Sequence, residues 1–143
     1  MTRIAAGLAV MALTLATLAG CGKSEYCQAV EDHQVALNAM GEEKTDAAFT
    51  RYERAFRAVA NVAPADVRKD WIKLADVING VLVAQRSAGI AMDDMDSTNK
   101  KLAALPEDKL KALNVAYEAF NNTQTERKAV VKNVKDECQI TLS

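Results

Sequence analysis

The sequence predicts an all-α domain, an antiparallel four-helix bundle whose long last helix is kinked or broken into a fifth segment. Apolar residues recur at steps of three and four along most of the chain. Alternation typical of a strand is confined to residues 140–142. An even pair of cysteines, discussed below, predicts one disulfide that closes the bundle. With 143 residues, the chain is long enough for one domain with a buried core.

The beginning of the chain predicts an export signal over residues 1–20. Arg3 supplies a positive start, residues 4–18 carry no charge, and the small residues Ala19 and Gly20 precede Cys21. This order is typical of a bacterial lipoprotein signal peptide, and Cys21 is then the lipidated first residue of the mature chain. The apolar stretch is shorter than the about 20 residues of a membrane-spanning helix. The alternative is an ordinary secretory peptide that is cleaved without lipidation.

The remaining cysteines, Cys27 and Cys138, are predicted to form a disulfide because the chain is exported to an oxidising compartment. Closing a loop of this length stabilises the fold by about 4 to 5 kcal/mol in the chain-entropy model. A metal site is the alternative, but two cysteines with only one histidine, His33, make a poor zinc site. We therefore expect neither a metal nor another cofactor.

The first two helices each carry one apolar stripe. In the first, which Gly41 ends, the stripe is Tyr26, Val30, His33, Leu37 and Met40. In the second, which Thr45 caps, it is Phe49, Tyr52, Phe56 and Val59. His33 is interpreted as a partly buried packing residue rather than as a base or a ligand.

The third helix begins near Pro64, a residue that the first helical turn tolerates. Its inward positions are Val67, Trp71, Leu74, Ile78 and Val81. Trp71 is the predicted anchor of the core because of its size. Asn79 and Gly80 mark a position at which this helix could kink.

A loop is predicted over residues 89–106, where the periodicity fades and Asp93, Asp94 and Asp96 gather. Calcium is the specific alternative for this cluster. An EF-hand loop that started at Asp94 would need glycine and glutamate where Asn99 and Leu105 stand. We therefore interpret the aspartates as loop solvation.

The last helical region begins at Pro106, and its inward positions are Leu110, Leu113, Tyr117 and Phe120. Asn121 and Asn122 interrupt it, and Thr123 with Glu126 has the spacing of a capping box. A second piece then carries Val130, Val131, Val134 and Cys138. The lysines of this piece, Lys128, Lys132 and Lys135, are interpreted as a solvated face, with anionic lipid as the alternative.

The disulfide places the beginning of the first helix and the end of the last at one pole of the bundle, which favours an even number of helices. We expect residues 21–26 to be a lipidated N-terminus with a short tether, and residues 27–143 to form the helical domain. The tether reaches at most about 20 Å, so the disulfide pole faces the membrane.

Several features together resemble a known group of proteins: Cys21, Tyr26 and Cys27, residues 63–66 leading to Asp70 and Trp71, and the ending over residues 134–142. Over most of the mature chain they resemble small exported lipoproteins of actinobacteria, a family with no assigned activity. Gln139 stands where that family has glycine. The resemblance implies placement in the cell envelope and supports the disulfide.

The sequence predicts a non-catalytic binding protein on the outer face of the cell membrane, anchored by covalent lipid such as palmitate. Its partner is a protein or an apolar ligand of the envelope, and the 18 basic and 19 acidic residues give no basic excess for nucleic acid. An extracytoplasmic enzyme or an enzyme inhibitor is one alternative, although only His33 and scattered carboxylates could act in catalysis. A ligand-binding helper of a transport system is the other, although a two-lobed clamp needs a longer chain.

Overall fold

The computed structural model describes residues 23–95 and 100–143. The predicted signal peptide, Cys21 and residues 96–99 lie outside this part. The described residues are predominantly helical and contain no strand, which confirms the all-α class. The helices are α1 (Glu25–Asn38), α2 (Asp46–Val62), α3 (Ala65–Ala88), α4 (Lys100–Ala103), α5 (Glu107–Asn121) and α6 (Gln124–Cys138), with a 3₁₀ turn at Met92–Asp94.

The bundle consists of α1, α2, α3 and the consecutive pair α5 and α6. α1 packs on α2, α2 on α3, and α3 on both α5 and α6, while α6 returns to α1. The 24 residues of α3 span about 36 Å and make it the central helix. Neighbouring helices run antiparallel, since Asp46 at the start of α2 accepts a hydrogen bond from the backbone N–H of Met92 beyond the end of α3.

The last helical region is two helices, so the five-segment alternative is correct. α5 lies along the second half of α3, where Lys109 donates to the Ser87 hydroxyl at 2.9 Å. α6 lies along the first half of α3, where Val130 and Trp71 line a common cavity. Asn122 and Thr123 separate the two helices with ψ angles of 27° and 19°. Together α5 and α6 occupy the place of the fourth helix.

Most predicted helix ends are found close to their predicted positions. The Thr45 hydroxyl accepts from the backbone N–H of Ala48 at 3.1 Å and caps α2 as expected. α1 begins at Glu25, before the predicted boundary at residue 27, because the Ser24 hydroxyl accepts from the backbone N–H of Cys27. α1 ends at Asn38, and Gly41 follows in a turn with φ 92°.

α3 is helical without interruption through Asn79 and Gly80. Two local predictions are wrong. The segment over residues 89–106, expected to be a loop, contains the 3₁₀ turn and the short helix α4, because local backbone hydrogen bonds form turns that apolar periodicity does not mark. The capping box at Thr123 and Glu126 does not form, because the Thr123 hydroxyl donates to the carbonyl of Phe120 at 2.8 Å instead of accepting from α6. The buried Thr123 side chain thus binds the end of α5.

The core agrees with most positions of the apolar stripes, but Leu110, which was expected to face inward, lies in the first turn of α5 and is 38% exposed. Predicted core residues that are buried are Tyr26, Val30, Leu37, Phe49, Tyr52, Phe56, Trp71, Leu74, Ile78, Leu113 and Val134. Tyr117 and Phe120 are only partly buried, although the Phe120 ring lies 5.5 Å from that of Phe49. The sequence did not indicate that Ile90, Met92 and Leu142 are buried as well.

Candidate functional site

Cys27 and Cys138 form the predicted disulfide, with their Cα atoms 5.2 Å apart. The bond joins the first turn of α1 to the last residue of α6. Within the described part of the chain, no three histidine, cysteine, aspartate or glutamate side chains lie close enough together to hold a metal ion. The pair is therefore assigned a structural role at this end of the bundle, which we call the disulfide pole.

A buried hydrogen-bonded chain lies beside the disulfide. The indole N–H of Trp71 donates to the Tyr26 hydroxyl at 3.2 Å, and that hydroxyl donates to Asn133 Oδ1 at 2.8 Å. The two rings pack edge to face with centroids 6.4 Å apart. Burial raises the pKa of Tyr26 to about 12, and the charges of Asp66 and Glu137 act in the same direction. This chain links α1, α3 and α6.

The residues considered for catalysis or metal binding are not brought together. His33 is half-buried on α1 and makes no hydrogen bond or ion pair within the described residues. Asp94 pairs with Lys101 at 3.0 Å, and Asp93 is exposed. Lys128, Lys132 and Lys135 are exposed on α6, where Lys132 pairs with Asp136 one turn away. The exposure of Asp93 and of the three lysines agrees with their interpretation as solvated surface residues.

A pocket opens at the other end of the bundle, which we call the distal pole. Its volume is about 370 Å³, within the usual range for small-ligand sites. We call it the distal pocket, and its lining residues are Gly41, Lys44, Phe49, Met92, Met95, Tyr117 and Asn121. Two aromatic rings and two methionines give it an adaptable apolar wall. Lys44 is exposed and has no ion-pair partner among the described residues, so it offers a free cation at the rim.

The fold positions these residues through contacts between distant segments. Asp46 holds the backbone of Met92 at 2.9 Å, so the start of α2 fixes the 3₁₀ turn that forms one wall. Phe49 follows one turn later on α2, and Tyr117 comes from α5. Sequence reasoning missed Lys44, Met92 and Met95 as site residues, because a turn and an aperiodic segment carry no pattern that marks a pocket.

A buried polar cluster lies next to the distal pocket. The Gln85 amide nitrogen donates to the Tyr117 hydroxyl at 3.1 Å, and that hydroxyl donates to the sulfur of Met92 at 3.0 Å. Gln85 is 2% exposed, and its amide oxygen has no hydrogen-bond partner in the described structure. Burial raises the pKa of Tyr117, so its hydroxyl stays protonated at neutral pH. The cluster fixes the Tyr117 ring at the wall of the pocket.

Comparison with known proteins adds no family. No protein-family model matches the chain, and neither a curated protein nor a solved structure does. The resemblance to exported actinobacterial lipoproteins stays a prediction. None of the helices in residues 23–95 and 100–143 combines the length and the apolar character needed to span a bilayer.

Proposed function

We propose that this protein is a non-catalytic binding module of the bacterial cell envelope, anchored to the membrane by lipid on Cys21. We further propose that its distal pocket takes a small ligand with an apolar or aromatic body and an anionic group. The observation that carries this proposal is the distal pocket itself, with two aromatic residues, two methionines and the free Lys44 at its rim.

The position of the pocket supports this function. Cys21 precedes the start of α1 at Glu25 by four residues, a reach of at most about 14 Å. A lipid on Cys21 therefore keeps the disulfide pole close to the bilayer. The stretch of α3 from Trp71, beside the disulfide pole, to Gln85, beside the distal pocket, spans about 21 Å and separates the pocket from that pole. The pocket then opens away from the membrane, where a ligand of the envelope can enter it.

The chemistry of the pocket also supports a binding role. Methionine and aromatic side chains make adaptable apolar contacts, and a lysine at the rim attracts an anionic group. The Asn121 amide adds a polar group that can orient the ligand. No nucleophile lies beside a base in this lining, so the residues present suit binding rather than bond cleavage.

Methionine methyl NMR with the mature chain carrying Cys21→Ser tests ligand binding. The residues that follow Cys21 include three methionines, of which Met92 and Met95 line the distal pocket and Met40 does not. The probe is anilinonaphthalene sulfonate, which has an aromatic body and one negative charge. We expect its fluorescence to rise and the resonances of Met92 and Met95 to shift, while Met40 stays unchanged.

Two matched variants sharpen this test. Met95→Glu places a negative charge in the apolar wall and should weaken probe binding by at least about tenfold. Val115→Glu adds the same charge to an exposed face of α5, outside the pocket, and should leave binding unchanged. Equal effects of the two substitutions, or a shift of Met40 alone, would contradict the proposed site.

The anchor is tested separately by intact mass of protein extracted from bacterial membranes. We expect a mass equal to residues 21–143 plus lipid, with two free thiols appearing only after reduction. The matched Cys21→Ala variant should carry no lipid and leave the membrane fraction. An unlipidated mass for the unsubstituted chain would remove the anchor from the proposal and leave the pocket to be judged by its own test.

A further inference from the structure

A second cavity lies inside the bundle, between α1, α2, α3 and α6. It has a volume of about 110 Å³, and its apolar walls are Leu37, Met40, Phe56, Trp71, Leu74 and Val130. We call it the central cavity. Cavities of about this size with largely apolar walls accept small apolar molecules. It shares no lining residue with the distal pocket.

Residues 139–143 close the central cavity on one side, and we call them the strap. The chain turns at Gln139 with φ 58°, directly after the disulfide, and returns along α1. Leu142 is buried against the cavity and Ile140 is half-buried against the core, whereas Gln139, Thr141 and Ser143 are exposed. One side chain of the strap therefore makes most of the closure.

The strap is held to α1 by few interactions. Its hydrogen bonds to α1 are Gln34 Nε2 to the Thr141 carbonyl at 3.4 Å, Ser143 N to Asn38 Oδ1 at 2.9 Å and the Ser143 hydroxyl to the Asn38 carbonyl at 3.5 Å. All three are exposed to solvent, so water can replace them at little cost. The disulfide holds α1 to α6 whether or not the strap is seated. Release of the strap would expose Ile140 and Leu142 but would leave the contacts among the helices of the bundle in place.

Arg127 is the charged residue in the cavity lining. Its guanidinium lies 4.9 Å from the centre of the Phe120 ring, and Nε donates to the Thr123 hydroxyl at 2.9 Å. No carboxylate of the described residues lies within ion-pair distance of it. Burial lowers the pKa of Arg127, although the group stays charged at neutral pH. A half-buried cation without a counter-ion is complementary to an anion at the edge of an apolar cavity.

We propose that the central cavity binds a single-chain amphiphile with a carboxylate head, of the fatty-acid class, and that the strap opens to admit it. The alkyl chain replaces Leu142 against Trp71, Phe56 and Leu74, and the carboxylate pairs with Arg127. Displacing Leu142 adds the volume of its side chain to the cavity of about 110 Å³, which makes room for an alkyl chain of about six carbons. The source is free amphiphile in the envelope rather than an acyl chain within a bilayer.

The only tryptophan of the protein reports on this site, because Trp71 lines the cavity. The probe is 6-bromohexanoate, whose bromine quenches indole fluorescence at short range, added to the mature chain with Cys21→Ser. We expect saturable quenching of Trp71 and a shift of the Met40 methyl resonance, with Met92 and Met95 unchanged. Absence of quenching in both the parent chain and Leu142→Ala would overturn the proposal.

Different variants test the opening of the strap and the contact with the carboxylate head group. Leu142→Ala loosens the strap, so the binding-competent state is more populated and the apparent affinity should rise roughly threefold to tenfold. Leu110→Ala, on α5 and outside the cavity, should leave the affinity unchanged. Arg127→Gln should weaken binding by at least about tenfold. If Leu142→Ala bound the probe with the same affinity as the parent chain, the proposal that the strap opens to admit the ligand would be overturned.

Two further probes keep the charge contact and the source testable. Because Arg127→Gln could disturb folding, 6-bromohexanol is measured on the parent chain, and it should bind at least about tenfold more weakly than the carboxylate. Equal binding of acid and alcohol would overturn the role of Arg127. Vesicles of phosphatidylcholine with brominated acyl chains should not quench Trp71. Quenching by these vesicles would overturn the free amphiphile as the source.

Discussion

Tyr26 joins three helices through one hydroxyl group. It accepts from Trp71 of α3 and donates to Asn133 of α6, while its own residue belongs to α1. The sequence predicted Tyr26 and Trp71 as core residues from their spacing. It gave no sign of Asn133, because a polar residue on a helix carries no pattern that shows what it faces.

Tyr26→Phe should destabilise the fold by about 1 to 3 kcal/mol, because it leaves a buried indole N–H and an amide oxygen without a partner. The free energy of unfolding in urea is the measurement. Tyr52→Phe is the matched control, since the Tyr52 hydroxyl makes only a 3.4 Å contact with the Glu43 carbonyl. An effect of Tyr26→Phe no larger than that of Tyr52→Phe would show that the hydrogen-bonded chain adds little stability.

Tyr26 should also make the fold sensitive to alkaline pH. Its pKa rises from the usual 10.0 to about 12 in the folded state, so the folded protein keeps the phenolic proton when the unfolded chain has lost it. This stabilisation is complete below pH 10 and is lost as the pH rises towards 12. We expect the free energy of unfolding to fall less steeply over that interval in Tyr26→Phe than in the parent chain. Identical slopes for the two proteins would contradict the raised pKa.

At the scale of single elements, α3 contains a glycine that its structure does not require. Gly80 is helical, and a Cβ added there would meet no atom within 4 Å. Gly80→Ala should therefore stabilise the protein by about 0.5 to 1 kcal/mol. Gly89→Ala is the opposite case, because Gly89 ends α3 with φ 68° and an alanine there is strained. The midpoint temperature of thermal unfolding should rise for Gly80→Ala and fall for Gly89→Ala.

The break between α5 and α6 depends on Thr123. Its hydroxyl donates to the Phe120 carbonyl and accepts from Arg127, which ties the end of α5 to the first turns of α6. Thr123→Val should cost about 1 to 3 kcal/mol because both partners lose a buried hydrogen bond. Thr125→Val, on the exposed side of α6, should change the free energy of unfolding by less than about 0.5 kcal/mol. Similar losses in the two valine variants would exclude a special role for the break.

At the scale of the whole molecule, the disulfide closes a loop with a sequence separation of 111. Cys27→Ala with Cys138→Ala should lower the free energy of unfolding by about 4 to 5 kcal/mol, mainly because the unfolded chain becomes less restricted. Urea unfolding followed by helical circular dichroism is the measurement, with the disulfide-bonded chain carrying Cys21→Ser as the parent. A loss below about 1 kcal/mol would indicate that the unfolded chain is already held compact.

The apolar stripes allowed much of the fold to be predicted, because helix periodicity depends on neighbouring residues. Trp71 and Val30 were identified as core in this way. The disulfide was predicted from the even number of cysteines that remain after Cys21 and from the oxidising compartment expected for an exported chain. Leu142 and Ile90 were missed because each lies outside a helix and is buried only by segments far away in sequence. The break at Thr123 was located correctly, but the partner of its hydroxyl was not.

The sequence alone determined the helices, their inward faces and the pairing of Cys27 with Cys138, since these depend on local spacing and residue chemistry. The sequence also indicated that two segments share the place of the fourth helix, and only the tertiary structure decided that they are separate helices, with α5 along the second half of α3 and α6 along the first. It also decided that Met92 and Lys44 meet at the distal pole and that the strap covers the central cavity. These features arise where segments distant along the chain come into contact, and no periodic pattern in one segment encodes its neighbour.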